Sequence, residues 1–105
     1  MVNIKVNLKQ VLENPGAYDG WLYLKVPPWK LDSEGFFYRA DIDLLPEDEK
    51  KIRDEFVHSG WIATLSTEDI EDVVAFANDQ VEKPSLKQYL DSFVYFFEND
   101  AYLEL

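Results

Sequence analysis

Short runs in which apolar and polar residues alternate predict several β-strands along the chain. Residues 2–6 show this alternation, whereas residues 20–26 are a dense run of strand-forming residues, with Trp21 and Tyr23 on alternate positions, which Pro27-Pro28 ends. Residues 36–44 and 61–65 predict two further strands, and a loop that contains proline and glycine separates 20–26 from 36–44. We therefore expect the strands at 20–26 and 36–44 to pair as neighbours in a hairpin.

Helical spacing of apolar residues predicts four helices between and after these strands. The first covers Leu8–Glu13, and the Asn-Pro-Gly sequence after it ends the element. The second covers residues 45–60, with proline in the first turn, three acids where the helix dipole favours negative charge, and Gly60 as the stop. Ser66-Thr67 and Ser85 are the predicted N-caps of the third and fourth helices.

The apolar faces of the last two helices predict which side chains enter the core. The face of the third helix comprises Ile70, Val73, Val74, Ala77 and Val81. The face of the fourth comprises Leu86, Tyr89, Leu90, Phe93 and Phe97. Val94, Tyr95 and Phe96 widen that second surface, so the helix is either central in the fold or presents a further face to a partner. The alternating residues 101–105 predict an edge strand that ties down the end of the chain.

Length and composition place the whole chain, residues 1–105, in one domain. With 47% hydrophobic and 15% aromatic residues, it can bury a core without help from a metal or a disulfide. There is no cysteine, which excludes a disulfide framework, a thiolate zinc site and a thiol nucleophile. The predicted elements define an α+β fold: a small, mostly antiparallel sheet of about three to five strands packed with three or four helices.

The charge is strongly negative and unevenly distributed. The chain carries a net charge of -11, and residues 31–105 hold 19 acids against six basic residues. Phosphate binding needs a Lys/Arg surface, so direct binding to nucleic acid or to an anionic membrane is not expected. A domain of this size needs a net charge of only about 2 to 8 in magnitude for solubility, so the excess favours a basic partner. The N-terminus has no signal-peptide pattern and no run is long enough to span a membrane, which makes the cytoplasm the default location.

The residues that could support catalysis are few. His58, beside Ser59 and Gly60, stands near the end of a predicted helix, where a cation suits the helix dipole, and there is no second histidine for a common metal set. The paired acids Asp41/Asp43, Glu68/Asp69 and Glu71/Asp72 lack the glycine-containing loop of a calcium site. The four glycines form no phosphate-binding loop. We expect no catalytic residue, no cofactor and no metal.

The candidate partner-binding residues are acids of the second and third helices together with one tryptophan. The acids would form one surface if the two helices lie side by side. They are Glu47, Asp48, Glu49, Asp54 and Glu55 on the second helix, and Glu68, Asp69, Glu71 and Asp72 on the third. Trp29, in the loop, is a candidate for the apolar anchor that interfaces often use, and it is equally suited to covering the protein's own core.

Three segments carry a resemblance to a known group of proteins. They are "WLYLKVPPWKLDSE", "GWIATLSTEDIEDVVAFA" and "YFFENDAYLEL". Their order resembles small acidic bacterial immunity proteins of contact-dependent growth inhibition and related polymorphic toxin systems. The resemblance spans most of the chain and lies in apolar strand and helix patterns, and the family has no catalytic residues to transfer. It implies stoichiometric inhibition of a cognate toxin C-terminal domain, often a basic nuclease, by covering the active site.

Two other functions stay open from the sequence. An adaptor domain or a DNA mimic would also use negative charge against a basic partner, and a mimic needs acids spaced like phosphates along an elongated surface. An enzyme would have to use His58 with nearby carboxylates. The sequence leaves open the identity of the toxin and the oligomeric state.

Overall fold

Short strands and helices follow one another along the chain, and the structure, a computed structural model, describes residues 4–105. The strands are β1 (Ile4–Asn7), β2 (Trp21–Leu24), β3 (Glu34–Tyr38) and β4 (Ile62–Ser66). The helices are α1 (Leu8–Glu13), α2 (Pro46–His58), α3 (Thr67–Gln80) and α4 (Leu86–Asn99), with one short 3-10 turn at Pro15–Ala17. The α+β class is confirmed. The predicted first strand started at Val2, and that start lies outside the described residues.

The four strands form one antiparallel sheet in the order β1-β3-β2-β4. In the centre, β2 and β3 pair with Tyr23 opposite Phe36, which confirms the predicted pairing of these two runs. Between β2 and β4 the register shifts, so that Thr64 and Leu65 together face Leu22. This is a β-bulge, and the Thr64 hydroxyl donates to the Leu22 carbonyl oxygen at 2.7 Å across it.

Side-chain caps explain where three of the helices begin. Asn7 caps α1 and Ser85 caps α4, and in both a glutamine three residues on returns a hydrogen bond to the cap backbone. The Ser66 hydroxyl accepts from the Asp69 amide at 3.2 Å and so caps α3. The predicted N-caps Ser66 and Ser85 are therefore confirmed.

One face of the sheet carries the main hydrophobic core, under α1, α3 and α4. Its fully buried side chains come from the sheet and from all three helices: Leu8, Val11, Leu12, Leu22, Leu24, Phe37, Ile70, Val73 and Phe93. Tyr89, Leu90 and Phe97 pack against this cluster as predicted, and so do Val94 and Phe96. Of the three positions that widen the apolar surface of α4, Val94 and Phe96 therefore belong to the protein's own packing, whereas Tyr95 is 38% exposed.

The opposite face of the sheet is covered by α2, which holds on mainly through one aromatic side chain. The Phe56 ring lies edge-on to Phe36, Tyr23 and Tyr38, with ring centroids 5.0, 5.1 and 5.2 Å apart. Past the end of the helix, the Lys25 ammonium donates to the Ser59 carbonyl oxygen at 3.0 Å. No residue of α2 is fully buried, so this helix is the least anchored of the four.

The strand predicted at residues 36–44 is shorter than expected. It ends at Tyr38, and Ile42 is 95% exposed. The Asp41 carboxylate accepts from the Asp43 amide at 2.9 Å, and the Asp41 carbonyl oxygen accepts from the Leu44 amide at 3.0 Å. These bonds close a turn because an aspartate side chain competes with sheet pairing for backbone donors.

The predicted terminal strand at residues 101–105 is wrong, although the segment is held in place. Asp100 adopts a left-handed conformation, with φ of 52°, and turns the chain back after α4. The Tyr102 ring stacks on Phe76 of α3 at 4.7 Å. The Gln80 side chain donates to the Leu103 carbonyl oxygen at 3.0 Å and accepts from the Leu105 amide at 2.8 Å. The tail leaves α4 on the sheet face that α1, α3 and α4 cover, so it meets α3 instead of a sheet edge.

Candidate partner-binding surfaces

Helix α3 presents the densest uncompensated negative charge of the described residues. Over Thr67–Gln80 it has five acids and no basic residue. None of these acids takes part in the ion pairs found among residues 4–105. Glu68, Glu71 and Asp72 are exposed and Asp69 is half-buried. Glu68 and Asp72 stand four residues apart, a spacing at which like charges repel, so the helix carries this charge at some cost to its own stability.

Helix α2 has as many acids, but much of their charge is compensated within the helix. Three basic residues on Pro46–His58 reduce its net charge to -2, against -5 for α3. Arg53 donates to Glu49 at 2.7 Å and Lys50 donates to Asp54 at 2.9 Å. The hydrogen bond from Lys50 lowers the pKa of Asp54 below its usual value. Glu47, Asp48 and Glu55 are exposed and take no part in these pairs.

The two acidic helices pack on opposite faces of the sheet. Phe56 of α2 contacts the face of Tyr23, whereas Ile70 and Val73 of α3 enter the core on the face of Leu22. Adjacent residues of a strand point to opposite faces. The predicted acids would form one surface only if the two helices lay side by side. The helices lie on opposite faces, so the acids divide into two groups.

Trp29 lies in the core, only 7% exposed. Its indole N–H donates to the Lys25 carbonyl oxygen at 2.6 Å, and its ring lies edge-on to Phe93 and Phe97. Of the two roles predicted for Trp29, a projecting anchor and a cover over the core, the structure shows the cover.

A shallow groove of about 680 Å³ lies where the loop of Trp29 meets α4. Its lining is mostly apolar and has two acids, Asp91 and Glu98. Lys87 pairs with Asp91 at 3.0 Å. Because Trp29 is itself buried, an anchor residue at this groove would come from a partner and enter the groove.

A second cavity, of about 590 Å³, lies between α2 and the sheet face that α2 covers. It is lined by Tyr23 and Tyr38 on the strands, Arg39 just after β3, and Glu49 and Arg53 of α2. Burial raises the pKa of both tyrosines, with nearby Arg53 opposing and nearby Glu49 adding to the rise. Sequence reasoning missed this site. The one available signal in the sequence was that the chain has only two arginines. The structure shows that both line this cavity.

The remaining candidates for chemistry are His58 and the paired acids. His58 is exposed in the last turn of α2, as its position in the sequence predicted. Residues 4–105 contain no group of three or more histidines, cysteines or acids arranged to hold a metal ion. Within the same range, no helix has the length and apolar character needed to cross a bilayer.

The fold and these surfaces define a small α+β domain whose notable features are surface charge and two cavities. Comparison with protein families assigns residues 5–105 to a domain of unknown function (DUF7716), and the chain belongs to this family. No curated protein and no solved structure matches the chain.

Proposed function

We propose that this chain is a non-enzymatic, acidic binding protein of the immunity type, which neutralises a cognate toxin domain in the cytoplasm. The partner is a basic domain, a nuclease in the best-fitting case, and inhibition follows from covering its active site. The resemblance noted in the sequence gives the role, and the observation that carries the proposal is the charge of α3.

The acids of α3 suit such a partner because none of them forms an ion pair with another group among residues 4–105. Five acids on 14 residues, without a basic residue, create a local field that attracts a cationic surface. A nuclease cleft that binds phosphates is cationic, so carboxylates can occupy the positions of phosphates. On α2 the ion pairs already satisfy two of five acids, which makes that helix the weaker candidate. The groove beside Trp29 supports the same role by offering an apolar contact for a partner side chain.

The test is the rate of association with the toxin domain encoded by the gene directly upstream, measured by stopped-flow fluorescence over a range of salt concentrations. The test variant reverses to lysine the four acids in the first two turns of α3: Glu68, Asp69, Glu71 and Asp72. The matched control makes the same change in net charge on α2: Glu47, Asp48, Asp54 and Glu55. We expect the α3 variant to associate about tenfold or more slowly, with a flattened salt dependence, and the α2 variant to change less.

The two variants distinguish a local contact from an effect of overall charge. If both slow association equally, net charge alone attracts the partner and α3 is not the contact. If neither does, the electrostatic mechanism is wrong. If affinity capture from the native cells recovers a nucleoid or housekeeping protein instead of a toxin domain, the adaptor or DNA-mimic function is favoured.

A further inference from the structure

The cavity between α2 and the sheet has the size of a site for a small molecule. Its volume of about 590 Å³ falls within the range of about 300–1,000 Å³ that is usual for ligand pockets. Gly20, Trp21 and Tyr23 line it at the start of β2, and Tyr38 lines it at the end of β3. It faces away from the main core and from α3, so it is independent of the surface proposed above.

Both arginines of the chain line this one cavity, in a protein of net charge -11. Each is oriented by a carboxylate: Arg39 donates to Asp19 at 2.5 Å, and Arg53 donates through Nε to Glu49 at 2.7 Å. Each guanidinium has five N–H donors, so most of them remain for a ligand. Glu49 also lines the cavity, but Arg53 compensates its charge. The planar donor fork of arginine suits a carboxylate.

Tyr38 supplies an unpartnered donor at the same place. The residue is 3% exposed, and its hydroxyl is buried with no hydrogen-bond partner among the described residues. Buried polar groups are nearly always bonded, so an exception beside a cavity indicates a missing acceptor. A tyrosine hydroxyl ordinarily ionises only near pH 10, and burial raises the pKa of Tyr38 further, so this group is a hydrogen-bond donor at neutral pH.

The walls of the cavity favour a flat ring. Trp21 lines it and stays 48% exposed, so part of its surface is accessible to a ligand. Tyr23 lines the same cavity, but it is 2% exposed and its ring is already stacked on Phe36, so Trp21 supplies the accessible aromatic surface. Aromatic rings prefer offset-stacked or edge-on contacts with other rings, so the Trp21 wall suits an aromatic ligand better than an aliphatic one.

We propose that this cavity binds a small aromatic carboxylate. The ring packs against Trp21, and the carboxylate accepts hydrogen bonds from Arg53 and from the Tyr38 hydroxyl.

The test uses three probes, namely benzoate, 4-hydroxyphenylacetate and indole-3-acetate, each with its neutral amide. The ¹⁵N-labelled full chain is titrated with each, and the three indole N–H resonances are followed by NMR. We expect at least one carboxylate to shift the Trp21 resonance saturably below about 10 mM, with its amide about tenfold weaker or worse. The Trp29 resonance is an internal control, because its N–H is bonded to Lys25 on the core side.

Two variants test the assigned contacts. Tyr38→Phe and Arg53→Gln should each weaken binding of the best probe about tenfold, because each removes a hydrogen bond to a charged group. Lys51→Gln removes a neighbouring positive charge outside the cavity and should leave binding unchanged. The proposal is overturned if no carboxylate gives a saturable shift at Trp21, if the amides bind as well, or if both cavity variants bind like the unmodified chain.

Discussion

Replacing Phe56 by alanine should release α2 from the sheet while the main core stays folded. Phe56 is the side chain through which α2 contacts three aromatic rings of the sheet, and no residue of that helix is fully buried. The main core lies on the other face and contains no residue of α2. The substitution therefore separates the stability of the two sides of the sheet.

The magnitude follows from the burial and contacts of Phe56. A phenylalanine buries about 150–250 Å² when fully enclosed, and roughly two-thirds or more of Phe56 is buried. About two-thirds of that area, at about 25 cal/mol per Å², corresponds to about 2.5 to 4 kcal/mol. The lost edge-on contacts add about 1 kcal/mol. We expect a loss of about 3.5 to 5 kcal/mol, which lowers the Tm of a domain of this size by about 15 to 25 °C.

The assay combines urea denaturation with native-state hydrogen exchange, which reports opening helix by helix. Amides of α2 should lose protection more than amides of α3 and α4. Val57→Ala is the matched control, because Val57 adjoins Phe56 and is 62% exposed, and it should change stability by less than about 0.5 kcal/mol. A loss below about 1 kcal/mol for Phe56→Ala, or equal loss of protection in all helices, would refute the reasoning.

Three further predictions concern other parts of the molecule. Tyr102→Ala removes the stack on Phe76 and should cost about 1 kcal/mol by thermal denaturation; no loss would mean that the tail does not contribute to the fold. The pKa of Tyr38 is raised in the folded state, so the free energy of unfolding should fall as pH rises above about 10, where the tyrosine of the unfolded chain ionises first. In urea titrations, Tyr38→Phe should reduce this dependence of stability on pH. An unchanged dependence would contradict the assigned burial of Tyr38. Glu71→Gln and Asp72→Asn relieve repulsion within α3 and should each raise stability by about 0.2 to 0.5 kcal/mol at low salt, whereas a decrease would mean that these acids are compensated in the folded protein.

The helices were predictable because their signals are local. Capping serines and the spacing of apolar residues specify α3 and α4 within the segment itself, and α1 spans the predicted residues Leu8–Glu13. The order of the strands was not predictable, because β1 pairs with β3 across intervening elements and no local pattern encodes such a contact. The tail shows the same limit: an alternating aromatic segment suits a strand edge and a helix surface equally, and the path of α4 decides between them.

The candidate surfaces divide in the same way. The acids of α3 could be read from the sequence, but their separation from the acids of α2 depends on which sheet face each helix covers. The aromatic cavity joins Trp21, Tyr38 and Arg53, which lie on three different elements or their ends. Such a convergence is a property of the packed structure.

The most direct test of the proposed function is quantitative affinity capture from the native cells, with the tagged chain and the α3 reversal variant as parallel baits. The account predicts that the unmodified chain retains a basic toxin C-terminal domain in equal proportion, and that the α3 variant retains much less of it. The account would be contradicted if no toxin domain is recovered, or if both baits retain the same partner equally.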